Sequence, residues 1–280
     1  MKDKYSLPQL LKLLQISKSS FYYQKKAMKK PDKYYELRIN IIQFFKENRN
    51  CYGYRRIHSE LKKTGIAVSE KNVRRIMKAE KLTVPEKRMK KYNSYKGEIT
   101  PEAANLLNRD FYADQPNIKW LTDITEFAIP AGKVYPSPVI DCFDGMIVSW
   151  NVGTAPDSLL VNKMLEVAIS TLSPSEHPIV HTDRGSHYRW PGRIDRMNTA
   201  GLTRSMSKKG CSSDNAACEG FFGRLKNEMF YGCSWIDVSI NSFIDEINNY
   251  IIRYNTKRIK QSLGYMSPVE YRHSLGLRLL

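Results

Sequence analysis

Apolar residues recur at helical spacing through residues 34–82. The segment YYELRINIIQFFKENR places four apolar side chains on one helical face: Leu37, Ile41, Phe44 and Phe45. Gly53 and Gly65 break this pattern, and two further helical segments follow the two breaks, YRRIHSELKK and EKNVRRIMKAEKL. Ser69 is a suitable N-cap for the last of the three. The pattern therefore predicts a trihelical module over residues 31–84.

A shorter helical pattern occupies residues 1–30. We expect two helices there, SLPQLLKLLQ and KSSFYYQKK, joined at Ile16-Ser17. Ser6 can cap the first helix, and Pro8 fits its first turn. A small apolar seam is expected from Leu10, Leu13, Leu14 and Phe21. We interpret this stretch as a helix-turn-helix-like segment.

From Ile118 onward the pattern changes to alternating strands and helices. Three strands are expected at hairpin spacing, IKWLTDITEFAI, KVYPSPVIDCF and GMIVSWNVG. The order then continues as a helix (DSLLVNKMLEVAISTL), a strand (PIVHT), a helix (GRIDRMNTAG), a strand (GLTRSMS) and a helix (DNAACEGFFGRLKNEMF). This order predicts a mixed α/β domain over residues 113–236. Because proline donates no ladder hydrogen bond, Pro136 and Pro138 predict a bulge or a displaced edge in the second strand.

Two other segments complete the organisation of the chain. Residues 85–112 show little periodicity, carry the basic run KRMKKY and are predicted to be a basic linker. Residues 237–280 are predicted to be a helical tail, in which five residues at helical spacing are expected to pack on the α/β domain: Phe243, Ile244, Ile247, Tyr250 and Ile251.

Composition narrows the class of protein. The 280 residues are 41% hydrophobic, as in a globular protein, with no unbroken apolar run of membrane-spanning length and no apolar leader at the start. The five cysteines include no CxxC pair, so we expect reduced thiols rather than disulfides or a zinc site. These features lead us to expect a cytoplasmic protein without a membrane partner.

The positive charge is confined to one part of the chain. Residues 1–100 hold 26 Lys+Arg against 9 Asp+Glu, whereas residues 101–280 hold 19 of each. A polyanion is the natural partner of such a region, because lysine and arginine displace the counterions of phosphates. A solubilising basic surface and an RNA-binding module remain alternatives. A trihelical module with a basic third helix suits DNA, and the predicted DNA contacts in it are Arg55, Arg56, Lys71, Arg74, Arg75 and Lys78.

Three acidic residues stand out by their positions. Asp123 lies within the expected strand WLTDITEF, and Asp183 follows directly on the apolar strand IVHT. Glu219 lies in the helix that follows Asp214-Asn215. Any one of these carboxylates could be an ordinary surface charge. Two carboxylates at strand positions are harder to dismiss, because a buried charge is costly unless it is paired or bound to metal.

The three residues have 59 and then 35 residues between them. This spacing resembles that of the OrfB-type transposases of two-frame (OrfA/OrfB) bacterial insertion sequences, within the DDE integrase superfamily. Five sequence motifs carry the same resemblance: WLTDITEF, IDCFDGMIVSW, HTDRGSHY, SMSKKGCSSDNAACEGFFGRLKNE and YIIRYNTKRIKQSLGYMSPVEY. The resemblance covers residues 34–275. It implies an RNase H-like catalytic core in which Asp123, Asp183 and Glu219 hold two Mg²⁺ ions, or Mn²⁺, for strand cleavage and 3′-OH strand transfer.

The resemblance also implies roles for other residues and partners. Lys226, two helical turns after Glu219, is expected near the terminal DNA phosphates, and Lys208, Lys209 and Asn215 are expected to shape the loop or contact DNA. His181 and His187 are assigned no metal. The implied partners are the element ends, target DNA, the upstream-frame OrfA product or an OrfA fusion, and further copies of the chain. Two alternatives stay open, a DNA-binding accessory protein that is inactive without OrfA and a nuclease that only hydrolyses.

Overall fold

A computed structural model describes residues 6–28, 32–84, 103–208 and 212–277 of the chain. The chain divides into two compact units, Met1–Thr83 and Val84–Leu280. None of the described helices is long and apolar enough to cross a membrane.

The first unit is all helical, as its apolar periodicity predicts. Its described helices are α1 (Leu7–Leu13), α2 (Lys18–Met28), α3 (Tyr35–Glu47), α4 (Tyr54–Lys63) and α5 (Glu70–Ala79). Helices α3 to α5 enclose a small core of almost fully buried side chains: Ile41, Phe45, Ile57, Leu61, Val73, Ile76 and Met77. The Ser69 side chain accepts a hydrogen bond from the Asn72 backbone N–H at the start of α5, which confirms the expected cap. The trihelical module is therefore present.

The apolar seam expected between α1 and α2 is wrong. The side chains of Leu13 and Leu14 are 74% and 62% exposed, and Leu11 is the buried residue of α1. Leu13 lies two residues beyond Leu11, about 200° further round the helix, so the two cannot share a face. Leu14 is already the C-cap residue, and the chain then turns at Gln15 with φ of +54°.

The second unit is a mixed sheet between two layers of helices. Its strands are β1 (Lys119–Thr122), β2 (Phe127–Ile129), β3 (Gly132–Asp141), β4 (Ile147–Gly153), β5 (Ile179–Thr182) and β6 (Thr203–Met206). Its helices are α6 (Ser158–Ser170), α7 (Pro191–Thr199), α8 (Ala216–Leu225), α9 (Ile240–Thr256) and α10 (Pro268–Ser274). Strand β1 pairs antiparallel with β3 and parallel with β5, which in turn pairs parallel with β6. The predicted mixed α/β class is confirmed.

Each face of this sheet has its own apolar core. On one face, Leu121 of β1 packs in a cluster with residues of α8 and α9. On the other face, Trp120 packs in a cluster with residues of α6 and α7. Adjacent residues of β1 thus enter opposite cores, as the alternation of side chains along a strand requires. The burial of Phe243, Ile247, Tyr250 and Ile251 confirms that the predicted helical tail packs on the α/β domain.

The strand expected at residues 118–129 is interrupted in its middle. Strands β1 and β2 pair with β3 in one continuous register, but residues 123–126 between them are not in a strand. That register sets Pro138 opposite Asp123 and Pro136 opposite Thr125. The Thr125 N–H donates to the Pro136 carbonyl at 3.2 Å, so both prolines direct their backbone towards this gap. Neither can donate a hydrogen bond in return, and the ladder opens there.

The interruption corrects one expectation and confirms another. Asp123 does not lie in the middle of a strand; it is the first residue after β1. The irregularity expected at the prolines is present on the side of β1 and β2, where the ladder opens, whereas the pairing of β3 with β4 stays regular at Pro136 and Pro138 and shifts register only between Val139 and Ile140.

Residues 103–112, the described part of the predicted linker, lie against the sheet. The Leu107 side chain is 2% exposed and belongs to the core cluster that contains Leu121. The Met206 N–H donates to the Ala104 carbonyl, and the Leu106 N–H donates to the Ser205 side chain. Residues 85–102 of that prediction lie outside the described residues.

Candidate active site

Two of the three predicted carboxylates lie at the same edge of the sheet. Asp123 follows β1 and Asp183 follows β5, and these strands are parallel neighbours, so their carboxyl ends coincide. Each aspartate is oriented by the backbone that follows it. Asp123 Oδ1 accepts from the Ile124 N–H at 2.8 Å, and Asp183 Oδ1 accepts from the Gly185 N–H at 2.8 Å.

The electrostatic state of Asp123 shows that the carboxylates act on one another. Burial raises the pKa of Asp123, and the negative charge of Asp183 raises it further, to about 8. Glu219 adds a smaller effect in the same direction, while hydrogen bonds from Ile124 and Asn215 oppose it. A carboxyl whose pKa is raised above neutral pH marks a cluster of negative charge without enough positive charge to balance it.

Glu219 approaches this pair from α8, in the first turn of the helix. Its side chain is the most exposed of the three, and partial burial raises its pKa. Among the described residues, no group of three or more His, Cys, Asp or Glu side chains is arranged tightly enough to hold a metal ion. The structure thus brings Asp123 and Asp183 together, with Glu219 near enough to act on Asp123.

The donor set suits a hard divalent cation. All three side chains offer carboxylate oxygens, the ligands that Mg²⁺ and Mn²⁺ prefer. Within the described ranges, none of the three forms an ion pair with lysine, arginine or histidine, whereas Asp141 and Asp144 both pair with Arg272. An uncompensated carboxylate cluster at a sheet edge is the arrangement that a bound cation would neutralise.

Asn215 contacts Asp123 directly, which its position in the sequence did not indicate. Its side chain is 3% exposed, and its Nδ2 donates to Asp123 Oδ2 at 3.2 Å. Its Oδ1 is buried and finds no hydrogen-bond partner among the described residues. The Asp-Asn dipeptide before a helix was the available signal, but that signal does not identify Asp123 as the partner.

Lys226 also lies beside the carboxylates. It opens a π-helical turn, Lys226–Phe230, that continues from α8, and its Nζ is 5.5 Å from the centre of the Phe127 ring. Burial lowers the pKa of Lys226, while the negative charges of Glu126 and Asp123 raise it. Lys226 is therefore close enough to Asp123 for the two charges to act on each other, and its contact with DNA phosphates stays a prediction. The Lys208 side chain is exposed, and Lys209 lies outside the described residues.

The two histidines beside Asp183 differ in their surroundings. His181 is fully buried, and its ring nitrogens lie 2.8 Å from Ser205 Oγ and 3.1 Å from Ser207 Oγ. Burial lowers the pKa of His181, as expected for a neutral ring within a hydrogen-bond network. His187 lies next to Asp183, whose charge opposes the lowering of the His187 pKa by burial.

Sequence reasoning missed Tyr188. This tyrosine is buried, and burial raises its pKa well above the usual value, with further contributions from the charges of Asp123 and Asp183. Its ring also lies 4.9 Å from the guanidinium of the buried Arg193. The tyrosine stands in a short 3₁₀ turn with no periodic pattern, so nothing in the sequence separates it from an ordinary loop aromatic.

The predicted DNA contacts of the first unit lie on its surface. Lys71, Arg74, Arg75 and Lys78 of α5 are exposed, as is Arg55 of α4, and Arg56 is half-buried over the Tyr52 ring. The guanidinium groups of Arg74 and Arg75 lie over the rings of Tyr54 and Tyr34. These contacts hold the arginines at the surface of the trihelical module.

Comparison with known families covers most of the chain. Residues 113–212 and 219–275 match the integrase core domain, and residues 33–91 match the HTH-like domain. The chain is 55% identical over 273 residues to the probable transposase for insertion sequence element IS1353 of Shigella flexneri, aligning 98% of this chain with 53% of that protein. It is 41% identical over 273 residues to the InsK protein of insertion sequence element IS150 of Escherichia coli (strain K12), aligning 98% and 95%.

These matches differ in extent. The chain spans about half the length of the Shigella relative and nearly the whole length of the Escherichia one. Among solved structures, a chain of the simian T-cell lymphotropic virus intasome, in complex with PP2A regulatory subunit B56 gamma, matches with a TM-score of 0.50 and 14% identity. That match covers 86% of this chain and 77% of the other, and it supports the fold.

Proposed function

The chain belongs to the insertion-sequence transposases that carry an integrase core domain, and on that premise we propose that Asp123, Asp183 and Glu219 are its catalytic carboxylates. The reaction is polynucleotidyl transfer, in which a strand is cut at the element end and the freed 3′-OH attacks another phosphodiester. The observation that carries this proposal is the uncompensated pair of carboxylates at adjacent parallel strand ends, with the pKa of Asp123 raised to about 8.

Asp123 and Asp183 would share a divalent cation, and Glu219 would complete the site from α8. A pair of Mg²⁺ ions, or Mn²⁺, bound there supplies charge stabilisation for the attacking and leaving oxygens of an in-line phosphoryl transfer. Asp123 would have to be ionised to act as a ligand, so holding a cation would require its carboxyl to give up the proton that the raised pKa favours. Asn215 keeps Asp123 oriented through its Nδ2.

Positive side chains would hold the DNA. The charge of Asp123 acts on Lys226, and the lysine would meet a phosphate next to the reacting one. The exposed basic residues Arg55, Lys71 and Lys78 of the trihelical module would bind the element end away from the chemistry. Because two element ends must be cut and joined, the active species contains at least two copies of the chain on DNA, with the OrfA product or an OrfA fusion as a further partner.

The test is strand cleavage and joining of a labelled element end in Mg²⁺ and in Mn²⁺, comparing the native chain with Glu219→Gln. The substitution preserves size and removes the negative charge. We expect cleavage and joining to be lost while DNA affinity is retained. The matched control is Glu166→Gln. Glu166 is also an exposed glutamate in a helix, α6, but its carboxylate pairs with Arg196 of α7.

Three other results would contradict the proposal in different ways. Full activity in Glu219→Gln would place the catalytic site elsewhere. Cut products without joined products at every metal concentration would indicate a nuclease. DNA binding without cleavage, in the native chain and in its OrfA fusion alike, would indicate an accessory DNA-binding protein.

A further inference from the structure

We infer that Asp214 is a positioning residue, which fastens residues 105–109 to the turn before α8, the helix that carries Glu219, and to the loop after β6. The inference rests on the proposed function for its catalytic consequence, but its structural part can be tested separately. It concerns a residue that makes no contact with the three carboxylates themselves and acts through Asn215.

Asp214 accepts hydrogen bonds from one distant segment, through Asn105 and Arg109, and from the loop after β6, through Lys208. Its side chain is 3% exposed, and it accepts from Asn105 Nδ2 at 2.9 Å and from Arg109 Nε at 2.8 Å. The backbone N–H of Lys208 donates to the same carboxylate at 3.0 Å. Hydrogen bonding from Arg109 and from Lys208 holds the pKa of Asp214 below its usual range, so the group is ionised at neutral pH. One carboxylate thus joins residues more than a hundred positions apart.

The next residue connects Asp214 to the chemistry. Asn215 donates to Asp123 Oδ2, and α8 begins at Ala216 and carries Glu219 in its first turn. A shift of Asp214 would therefore move the side chain that orients Asp123 and the backbone that presents Glu219. Both effects act through bonded neighbours, so they need no contact between Asp214 and the substrate.

The same segment, residues 105–109, reaches the third carboxylate by a second route. The Leu106 N–H donates to Ser205 Oγ at 3.0 Å, and Ser205 Oγ lies 2.8 Å from His181 Nδ1. His181 stands two residues before Asp183 at the end of β5. Residues 105–109 therefore contact the turn before α8 through Asp214 and the end of β5 through Ser205 and His181, and Leu107 is buried in the core cluster that contains Leu121.

Because the Arg109 side chain is exposed, its ion pair with Asp214 is expected to affect the position of the site more than the stability of the fold. The Arg109 side chain is 58% exposed, and ion pairs with so exposed a partner contribute little to stability because water screens them. The contact is nevertheless geometrically specific, since Asn105 and the Lys208 N–H share one oxygen of Asp214 while Arg109 takes the other. Losing the carboxylate should therefore disturb the site more than it disturbs the folded state.

The experiment compares the full-length chain with Asp214→Asn, using Asp110→Asn as the matched control. Asp110 also pairs with a cation, Lys119, at 2.7 Å, but among the described residues it touches neither the turn before α8 nor the loop after β6. In Asp214→Asn we expect amide hydrogen exchange to accelerate at Lys208 and at the start of α8, with α9 unchanged. We also expect element-end cleavage to fall by about 100-fold with DNA affinity retained, because small misplacements of reacting groups cost that much.

A mutant cycle tests whether Asn105 and Arg109 affect cleavage through Asp214. Asn105→Ala combined with Arg109→Ala should reproduce part of the cleavage defect, and adding Asp214→Asn to that pair should lower the rate less than it does in the native background. Fully additive losses would overturn the inference. Faster exchange spread equally over α9 and the rest of the unit would also overturn it, because Asp214 would then only stabilise the fold.

The outcomes also distinguish this inference from the proposed function. If the native chain cleaves DNA and Asp214→Asn cleaves equally well, the inference fails and the proposed function stands. If the native chain does not cleave, the proposed function fails and hydrogen exchange alone decides the structural part. Acceleration confined to Lys208 and α8 supports the coupling, and unchanged exchange there overturns it.

Discussion

At the scale of single residues, the lack of a side chain at Gly185 allows Asp183 its position. The Gly185 N–H donates to Asp183 Oδ1, and a β-carbon added at Gly185 would stand 3.0 Å from that oxygen and 2.6 Å from His187 Nε2. At 2.6 Å the His187 ring would have to move, and at 3.0 Å the Asp183 carboxylate would have to shift by a few tenths of an ångström. The turn after β5 thus keeps its glycine for reasons of space.

We therefore expect Gly185→Ala to lower element-end cleavage by about 10- to 100-fold, since the displaced group is one of the proposed catalytic carboxylates. The matched control is Gly223→Ala within α8, where an added β-carbon meets nothing within 4 Å. This control should stabilise the chain by about 0.4–1 kcal/mol, because alanine restricts the unfolded chain, and should leave cleavage unchanged. Cleavage rates and urea unfolding measure the two effects. Native cleavage in Gly185→Ala would show that the turn tolerates the extra carbon.

At the scale of elements, β3 determines where Asp123 leaves the sheet. Pro138 stands opposite Asp123 in the register that β1 and β2 share against β3. A residue with an N–H at that position could donate to the Asp123 carbonyl and continue the ladder. The proline prevents this, so the chain separates from β3 at Asp123, and the aspartate side chain reaches Asn215.

Pro138→Val tests this account. Restoring the donor should extend β1 by one residue pair, draw Asp123 into the ladder and reduce cleavage by at least about tenfold through misplacement of the carboxylate. Stability should be equal or higher, because valine suits a strand and adds a hydrogen bond. Slower amide exchange at position 138 than at its neighbours would report the new bond. Cleavage at the native rate despite that bond would separate the strand interruption from catalysis.

At the scale of the whole molecule, charge and chemistry lie in different units. The first unit, Met1–Thr83, holds 21 Lys+Arg against 7 Asp+Glu, whereas residues 101–280, which include the carboxylate site, hold 19 of each. Such a division lets the first unit supply sequence-independent affinity for phosphates, while the second unit keeps a local acidic cluster that can attract cations.

Neutralising Lys71 and Lys78 together should therefore weaken DNA binding and reduce its salt dependence, with the logarithmic salt slope falling by about 0.9 for each lost phosphate contact. The measurement is DNA affinity of the full chain across a range of salt concentrations. The control is Lys163→Gln, which removes an exposed lysine from α6 of the second unit. An unchanged slope in the double variant would mean that α5 does not face the phosphates.

The local elements followed from the residues themselves. Apolar spacing predicted the helices of the first unit and the strand and helix order of the second, because periods of 3.6 and 2 residues depend only on which side chains must be buried. The charge division is likewise a property of sequence. The family words around Asp123, Asp183 and Glu219 directed attention to the three carboxylates, and the first two lie at one sheet edge because each ends a parallel strand.

What the tertiary structure decided depends on contacts between residues far apart in the chain. The place where β1 ends was set by prolines in β3, and the orientation of Asp123 by Asn215, 92 positions away. The support of Asn215 in turn depends on Asp214 and its partners Asn105 and Arg109. No local pattern records these pairings, because a hydrogen bond between distant residues forms only after the sheet and α8 have brought them together.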